Sequence, residues 1–378
     1  MRFKEFNTAW IHSKIGEICE IEMCKRIFSN QTNTIGGVPF YKIGTIGGKP
    51  DTWISQNLFN EYKDKYNYPK KGEILITCSG TVGKCIIFNG EDAYFQDSNI
   101  VWLANKSTVL NIFLFYIMNN IDWSYLNSTT ITRIYGSDLR NLDFYYPNNK
   151  NEQQKVTEFL SLIDKRIDTQ SKIIEDLELF KKGIENQYFS CNKNNEYVIL
   201  GDVITQINNR NEKNIDFEVL SVSNKYGFIP QSEQFDDHEV ASANKSNYKI
   251  VKQNDFAYNP ARINVGSIAM LRNNQVGIVS PMYICFRANN NRILSSYLDY
   301  FSHSNKFNNE VLKNLEGSVR LCLSFESLSK IKIHLPSLDT QYEIVKNLDL
   351  ISNKISIENK ILEKLKEQKK YLLSNMFI

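Results

Sequence analysis

The sequence has 378 residues, of which 42% are hydrophobic and 23% charged, and its formal net charge is +3. That length is typical of two or three globular domains rather than one. The mild positive charge allows a nucleic-acid partner without requiring one. The longest apolar run, at 109–118, is about half of the ~20 residues that a transmembrane helix needs, and the first residues lack the apolar core of a signal peptide.

The cysteines indicate reduced thiols. They are odd in number and form no Cys-x-x-Cys pair, so we expect neither an even disulfide framework nor a zinc ribbon. We therefore expect a cytoplasmic protein without a membrane association, whose thiols are mostly buried. The seven cysteines are Cys19, Cys24, Cys78, Cys85, Cys191, Cys285 and Cys322.

Residues 1–147 are predicted to form the first domain. Short runs of β-branched and aromatic residues alternate there with Gly, Asn and Pro, which is the pattern of strands and loops. The segment KKGEILITCSGTVGKCIIF at 70–88 predicts a strand, a turn and a second strand. The apolar run at 109–121 predicts one helix within this domain.

A long helix is predicted over 148–190, followed by a linker at 191–197. A second strand-rich domain is predicted over 198–336, with one helix at 294–303 inside it. A last long helix is predicted over 337–378. The order of elements is therefore a domain and a long helix, repeated once.

The two long helices are similar in sequence. Gln153 aligns with Gln341, 188 residues further on, and the alignment continues without a gap to residue 378. Apolar residues recur at alternating spacings of three and four, as in a coiled-coil seam. The predicted seam residues are Val156, Leu160, Ile163, Ile167, Ile174, Leu177 and Ile184 in the first helix and Ile344, Leu348, Ile351, Ile355, Leu362, Leu365 and Leu372 in the second.

Polar residues interrupt the two seams at matching places. Gln170 aligns with Glu358, and Lys181 aligns with Lys369. Two unrelated amphipathic helices would share a periodicity but seldom its interruptions. Each helix is about 55 Å long at 1.5 Å per residue and needs a partner for its apolar stripe. We predict that the two pack antiparallel, although each could instead cover only its own domain.

The repeat continues, more faintly, into the domains. IGEIC at 15–19 resembles LGDVI at 200–204, and the 70–88 segment resembles VKQNDFAYNPARINVGSIAML at 251–271. The predicted fold class is therefore α+β. It has two mixed, strand-rich domains joined by two long helices packed as an antiparallel coiled coil, with a pseudo-twofold internal repeat.

This arrangement resembles the specificity subunit of a Type I restriction–modification system. The resemblance covers essentially the whole chain, and its most specific parts are the two domain-and-helix halves, SGTVGK at 79–84, and YPNNKNEQQ at the start of the first long helix. It implies that 1–147 and 198–336 are target recognition domains, each of which recognises one half of a split, asymmetric DNA site. It also implies that the helices set the distance between the domains and bind other subunits.

The resemblance further implies which partners and cofactors to expect. The partners would be double-stranded DNA, two modification subunits and restriction subunits, in the cytoplasm of a bacterium or archaeon. S-adenosylmethionine, ATP and Mg would be bound by the partner subunits, and no cofactor or metal by this chain. The alternatives are a scaffold that recruits proteins through its coiled coil without contacting DNA, and an orphan specificity subunit without partners.

We predict no catalytic residues in this chain. SGTVGK at 79–84 has two residues between its glycines where a phosphate-binding loop has four, and it predicts instead a tight turn in which glycine takes a positive φ. YNPAR at 258–262 lacks the second Pro and the aromatic residue of an amino-methyltransferase motif. The acidic run at 236–239 is predicted to be an exposed loop rather than a metal site.

Candidate DNA contacts are polar and basic residues on predicted loops. Arg and Lys pair with guanine edges, Asn and Gln pair with adenine edges, and most other contacts go to phosphate. The candidates in the first domain are Lys25, Arg26, Lys42, Thr45, Ser79, Thr81, Lys84 and Arg133, and those in the second are Asn209, Arg210, Asn224, Lys225, Tyr226, Arg262, Asn264 and Arg320.

Overall fold

The computed structural model describes residues 2–123, 133–189, 197–234, 244–273, 276–317 and 321–377. Most of the predicted linker, the acidic run at 236–239 and the candidate Arg320 lie outside these described residues. The chain divides into two compact units. Unit 1 comprises Met1–Gln170 and Ile361–Ile378, and unit 2 comprises Ser171–Lys360.

Ten strands and five α-helices begin among the described residues of unit 1. The strands are β1 (Ile11–Lys14), β2 (Cys19–Met23), β3 (Thr32–Asn33), β4 (Val38–Tyr41), β5 (Trp53–Ile54), β6 (Ile74–Thr77), β7 (Cys85–Ile87), β8 (Tyr94–Phe95), β9 (Ile100–Asn105) and β10 (Asp143–Tyr146). The helices are α1 (Ile15–Ile18), α2 (Gln56–Lys65), α3 (Asn111–Asn120), α4 (Gly136–Arg140) and α5 (Lys150–Phe189), of which α5 continues into unit 2.

Unit 2 has a closely similar set of elements. Its strands are β11 (Tyr197–Ile199), β12 (Ile204–Ile207), β13 (Glu218–Ser223), β14 (Gly227–Pro230), β15 (Lys249–Val251), β16 (Asp255–Tyr258), β17 (Ile268–Met270), β18 (Gly277–Val279), β19 (Ile284–Ala288) and β20 (Lys332–His334). Its helices are α6 (Gln231–Gln234), α7 (Ser295–Ser302), α8 (Asn305–Lys313), α9 (Phe325–Ser329) and α10 (Leu338–Met376), of which α10 ends in unit 1.

The sheets confirm the internal repeat within the domains. The antiparallel sheet β2-β9-β6-β7 of unit 1 has the same order and directions as β12-β19-β16-β17 of unit 2. The second sheets share the core β5-β4-β8 and β14-β13-β18, each with one parallel pair, and differ in the position of their fourth strand. The pairs β1-β10 and β11-β20 also correspond. The predicted α+β fold class is therefore confirmed.

The burial of the strands explains why the sequence forms them. The central strands β6 and β16 are buried along their whole length and consist mainly of apolar residues, as expected when both faces of a strand are covered. The helix α3 is likewise apolar on most of its surface and lies in the core of unit 1. The single helices predicted at 109–121 and 294–303 are α3 and α7.

The connections after β6 and β16 differ from the predicted tight turn. They run over 78–84 and 259–267, so each is a loop rather than a two-residue turn. The glycines do take positive φ as predicted, with values of 68° at Gly80, 78° at Gly83 and 90° at Gly266. A Cβ on Gly83 would lie 2.2 Å from the Trp123 ring, so this position requires glycine for space as well as for conformation.

The two long helices begin at equivalent residues. Asn149 precedes α5, and its side-chain oxygen accepts a hydrogen bond from the Asn151 N–H at 2.9 Å. Ser337 precedes α10 and lies 188 residues after Asn149, the offset of the repeat. Its hydroxyl accepts a hydrogen bond from the Thr340 N–H at 3.3 Å. Such side chains satisfy the free N–H groups of a helix start. With 40 and 39 residues, the helices are about 60 Å long.

Within each unit the helix segments pack in opposite directions. In unit 1, Asp164 contacts Lys369, while the start of α5 at Val156 shares a core with the end of α10 at Met376. In unit 2, the end of α5 at Tyr188 contacts the start of α10 through Asn347. The predicted antiparallel pairing is therefore found in both units.

The buried thiols lead to a first testable expectation. Burial raises the pKa of Cys19, Cys24, Cys85 and Cys285 to about 12 and that of Cys78 to about 11. Because the thiolate is the reactive form, we expect iodoacetamide to alkylate these cysteines at least about a hundredfold more slowly in the native protein than in urea. Partly exposed Cys322 should be labelled first among the described cysteines, as peptide mass spectrometry would show. Rapid native labelling of Cys19 or Cys285 would contradict this burial.

Candidate DNA interface and helical seam

A short loop at 96–99, between β8 and β9, contacts several candidate DNA-binding residues of unit 1. The Arg26 Nε donates a hydrogen bond to Asp97 at 2.5 Å. The Arg133 guanidinium donates to the Ser98 hydroxyl at 3.0 Å and to the Ser98 carbonyl at 3.1 Å. Both arginines are therefore held in defined positions by one loop.

The same loop contacts two further segments that carry candidates. The Ser79 hydroxyl donates to the Asn99 side chain at 2.8 Å. The Ile43 N–H donates to the Gln96 side-chain oxygen at 3.4 Å, which places the segment 42–45 beside the loop. Four candidate-bearing segments thus converge in unit 1, although they are far apart in the sequence.

Three further candidates of this surface, Lys42, Thr45 and Lys84, have protein partners as well. Lys42 forms an ion pair with Asp51 at 3.0 Å, and the Thr45 hydroxyl accepts from the Lys42 N–H at 3.0 Å. The Lys84 ammonium donates to the Ile46 carbonyl at 2.6 Å, so this hydrogen bond joins the loop at 78–84 to the segment that follows β4. Its role in DNA contact stays a prediction.

Lys25 and Thr81 are exposed. The Lys25 ammonium lies 5.3 Å from the centre of the Tyr66 ring. The Thr81 carbonyl accepts a hydrogen bond from the Thr77 hydroxyl, and the Thr81 residue is exposed. Both side chains are accessible to a large ligand such as a DNA duplex.

Two segments of unit 2 bring five more candidates together. The turn between β13 and β14 lies beside the loop at 259–267, since a Cβ on Gly266 would be 3.6 Å from the Asn224 Cβ. The Lys225 ammonium lies 5.0 Å from the centre of the Tyr226 ring, which is 69% exposed. The loop at 259–267 corresponds to 78–84 of unit 1. The candidates on the two segments, all of them exposed, are Asn224, Lys225, Tyr226, Arg262 and Asn264.

Asn209 and Arg210 lie next to a different strand. The Asn209 carbonyl accepts from the Ile250 N–H at 2.8 Å, and the Arg210 guanidinium donates to Asn247 at 3.4 Å. Both therefore adjoin β15, and no described contact joins them to the 224–226 turn. Arg320 lies outside the described residues.

The predicted seam residues are buried to different extents. Leu160 and Leu348, which are equivalent by the repeat, are completely buried, whereas Leu162 and Leu350, two residues further on, are 58% and 61% exposed. Leu162 and Leu350 are not seam residues, and every predicted seam residue besides Leu160 and Leu348 is buried or half-buried. The apolar stripe of each helix therefore faces protein, and its exposed leucines lie outside the stripe.

A buried glutamine attaches each long helix to its domain. The Gln153 side chain accepts from the Leu110 N–H at 2.7 Å and donates to the Pro147 carbonyl at 2.8 Å. Gln341 does the same with the Leu294 N–H and the Pro336 carbonyl, both at 2.8 Å. Both glutamines are 0% exposed. Each satisfies backbone groups at the start of a domain helix and just before a long helix.

The hydroxyls of two buried tyrosines connect the domains to the long helices. Tyr116 of α3 donates to Asp164 at 2.8 Å, and Tyr300 of α7 donates to Asp349 at 2.6 Å. Burial, together with the carboxylate neighbour, raises the pKa of Tyr300 to about 12 and raises the pKa of Tyr116 as well. Both hydroxyls therefore remain protonated donors at neutral pH.

The sequence patterns did not reveal the 96–99 loop or these tyrosines. The loop has no spacing that marks it as a point of contact for distant segments. The sequence did mark the two glutamines, because Gln153 and Gln341 are identical polar residues at the start of two aligned apolar stripes. A matched polar residue in an apolar seam indicates a buried hydrogen-bonding position.

The described residues show no arrangement suited to metal binding. In the described ranges, no group of three or more His, Cys, Asp or Glu residues is placed to hold an ion. Within the same ranges, no helix combines the length and apolar character required to cross a bilayer. The groups at the candidate surfaces are hydrogen-bond donors and acceptors and cations, which can bind phosphates and base edges.

Comparison with known families and proteins gives consistent matches. The family model for the Type I restriction modification DNA specificity domain matches twice, over residues 7–179 and 192–367. A putative type I restriction enzyme specificity subunit of Haemophilus influenzae is 45% identical over 176 residues, which is 46% of this chain and 45% of that protein. The chain thus spans less than half of the length of this relative. The putative MjaX specificity subunit of Methanocaldococcus jannaschii is 23% identical over 340 residues, or 80% of this chain and 77% of that protein.

Two solved structures share the fold along nearly the whole chain. A Type I restriction–modification S subunit from M. genitalium is 18% identical, with a TM-score of 0.58 and coverage of 100% of this chain and 99% of that one. A chain from a study of complex assembly and conformational transition in the type I system is 15% identical, with a TM-score of 0.61 and 97% coverage of both. At these identities the likeness concerns the fold alone.

Proposed function

Because this chain belongs to the Type I restriction modification DNA specificity domain family, we propose that it is the DNA sequence-specificity subunit of a Type I restriction–modification complex. Each domain recognises one half of a split, asymmetric DNA site. The observation that carries the proposal is the repeated domain, in each copy of which polar loops converge: 78–84 and 96–99 in unit 1, and 224–226 and 259–267 in unit 2. The loops 78–84 and 259–267 correspond in the repeat but carry different side chains, which suits two different half-sites.

The chain acts without catalysis of its own. Modification subunits supply methyl transfer with S-adenosylmethionine, and restriction subunits supply ATP- and Mg-dependent cleavage. Two modification subunits bind to the two halves of the internal repeat. Exposed apolar residues on the long helices support this docking, because Leu162 and Leu350 occupy equivalent positions, as do Ile173 and Ile361. The complex works in the cytoplasm of a bacterium or archaeon.

The direct experiment is to express the chain with its modification subunits and sequence the methylated positions in the host DNA. A split motif of two different halves is the expected result. The scaffold alternative predicts no motif. It also predicts binding that is indifferent to salt, whereas phosphate contacts give a steep loss of affinity as salt rises.

Arg262→Ala is expected to change recognition in only one half of the motif. Its exposed guanidinium lies on the loop of unit 2 next to the 224–226 turn, and loss of one base contact costs about 1–3 kcal/mol of discrimination. Methylome sequencing should show relaxed selectivity at one position of the half-site that unit 2 recognises, and no change in the half-site that unit 1 recognises. Arg292→Ala is the matched control, because the Arg292 guanidinium donates to the Asp202 carbonyl outside the candidate loops. Equal effects of the two changes would contradict the assignment.

A further inference from the structure

The two lysines that interrupt the helical seams have the same kind of partner. The Lys369 ammonium on α10 lies 5.9 Å from the centre of the Tyr116 ring on α3, in unit 1. The Lys181 ammonium on α5 lies 5.3 Å from the centre of the Tyr300 ring on α7, in unit 2. The repeat thus places one lysine over one domain tyrosine in each unit.

In unit 1 a carboxylate completes this contact. Asp164 accepts the Tyr116 hydroxyl on one oxygen at 2.8 Å and pairs with the Lys369 ammonium through the other at 2.5 Å. The three groups come from three separate helices: α3, α5 and α10. Domain helix and both long helices are therefore joined at one point.

Unit 2 makes the corresponding lysine–tyrosine contact, but its carboxylates lie at different positions of the long helices. Ser352 occupies the position equivalent to Asp164 and lies 3.3 Å from the Tyr300 hydroxyl, while Asp349, nearly one turn earlier, accepts that hydroxyl at 2.6 Å. Lys181 pairs with Glu185 at 3.7 Å. The lysine over the tyrosine is retained, although the carboxylates differ.

A lysine is a costly choice for a seam position. A polar residue at one position of an apolar seam lowers stability but selects one register of the packed helices. Leu365 and Leu372 lie on either side of Lys369 and are buried. If α3 moved by one helical turn along α10, about 5.4 Å, Tyr116 would face one of these leucines and the ammonium would lose its partner.

We propose that Lys369 and Lys181 are positioning residues that fix where each domain sits along the helices of its own unit. Through that position they fix the number of unrecognised base pairs between the two half-sites. This inference rests on the proposed function, since only a protein that recognises a split site has such a spacing. A surface ion pair that merely adds stability is the competing explanation, as the lysine side chains are 30% and 28% exposed.

The decisive variant is Lys369→Leu, assayed as the complex with modification subunits. Leucine continues the apolar seam, so the melting temperature should stay the same or rise. Methylation is then measured on DNA with the native spacing and on DNA with one base pair more or less. We expect the preference for the native spacing to fall by about tenfold, within the range of coupling between contacting residues. Lys181→Leu should act in the same direction.

Three controls separate positioning from stability. Lys369→Arg keeps the cation and should keep the native preference. Lys364→Leu changes an exposed lysine of the same helix, paired only locally with Glu367, and should have no effect on spacing. Tyr116→Phe removes only the hydroxyl that binds Asp164, and should relax the preference less than Lys369→Leu does.

The outcomes distinguish the inference from the proposed function. If the unchanged complex methylates no split motif, the proposed function fails and the inference fails with it. If a split motif is found but Lys369→Leu leaves the spacing preference intact, whatever its melting temperature, only the inference is overturned. If Lys369→Leu does not fold, an unaltered spacing preference in Tyr116→Phe overturns the inference as well.

Discussion

Gln153→Met is expected to lower the free energy of unfolding of unit 1 by roughly 2–5 kcal/mol. Methionine has nearly the shape of glutamine, but it would leave the Leu110 N–H and the Pro147 carbonyl without their buried partner. Each buried group left unsatisfied costs about 1–3 kcal/mol. Denaturant unfolding measures the total, and hydrogen exchange of the Leu110 amide reports the local loss directly.

Gln154→Met is the matched control for this change. Gln154 is the next residue on the same helix, is exposed, and donates only to Glu158 one turn away. Its replacement should change stability by about 0.5 kcal/mol or less. Gln341→Met should repeat the large effect in unit 2, with faster exchange at Leu294. Similar results for Gln153→Met and Gln154→Met would show that the buried hydrogen bonds do not stabilise the fold.

Leu160→Ala and Leu348→Ala are each expected to destabilise their unit by about 2.5–5 kcal/mol. Both leucines are completely buried at equivalent seam positions, Leu160 in the core of unit 1 and Leu348 in that of unit 2. Truncation removes the buried methyl groups and leaves a cavity. Differential scanning calorimetry of the two single variants and the double variant would measure the loss.

The exposed leucines two residues further on provide the contrasting pair. Leu162→Ala and Leu350→Ala remove the same atoms from the surface, so stability should change by less than about 1 kcal/mol. If these residues bind modification subunits as proposed, the affinity of assembly should fall instead, which analytical ultracentrifugation of the complex can measure. A large stability loss at Leu162 would show that the seam has been assigned to the wrong face of the helix.

Periodicity was sufficient to predict the long helices and the strand pairs around 70–88 and 251–271. A repeat of three and four depends only on local geometry, and the first long helix begins at Lys150. The helices α2 and α8 were not predicted. They are short and consist largely of polar residues, and Ser55 and Ser304 cap them through hydroxyls that accept the Leu58 and Phe307 N–H groups.

The candidate DNA surface was less predictable because its contacts are distant in sequence. Arg26 and Arg133 were selected as basic loop residues, but only folding brings them to the same loop at 96–99. Lys84 was selected for the same reason, and its ammonium also donates to the Ile46 carbonyl. Composition identifies side chains that can contact DNA, whereas tertiary packing decides which of them remain available.

The division of the chain also has a consequence for biosynthesis. Unit 1 needs Leu372 and Met376 to complete the core around Val156 and Leu160, yet these residues are translated only after all of unit 2. At about 5–20 residues per second, the ribosome needs roughly 10–40 s to make the residues in between. The half that is synthesised first is therefore completed last. During that delay its apolar helix face is available to chaperones, or to a neighbouring nascent chain that carries the same seam.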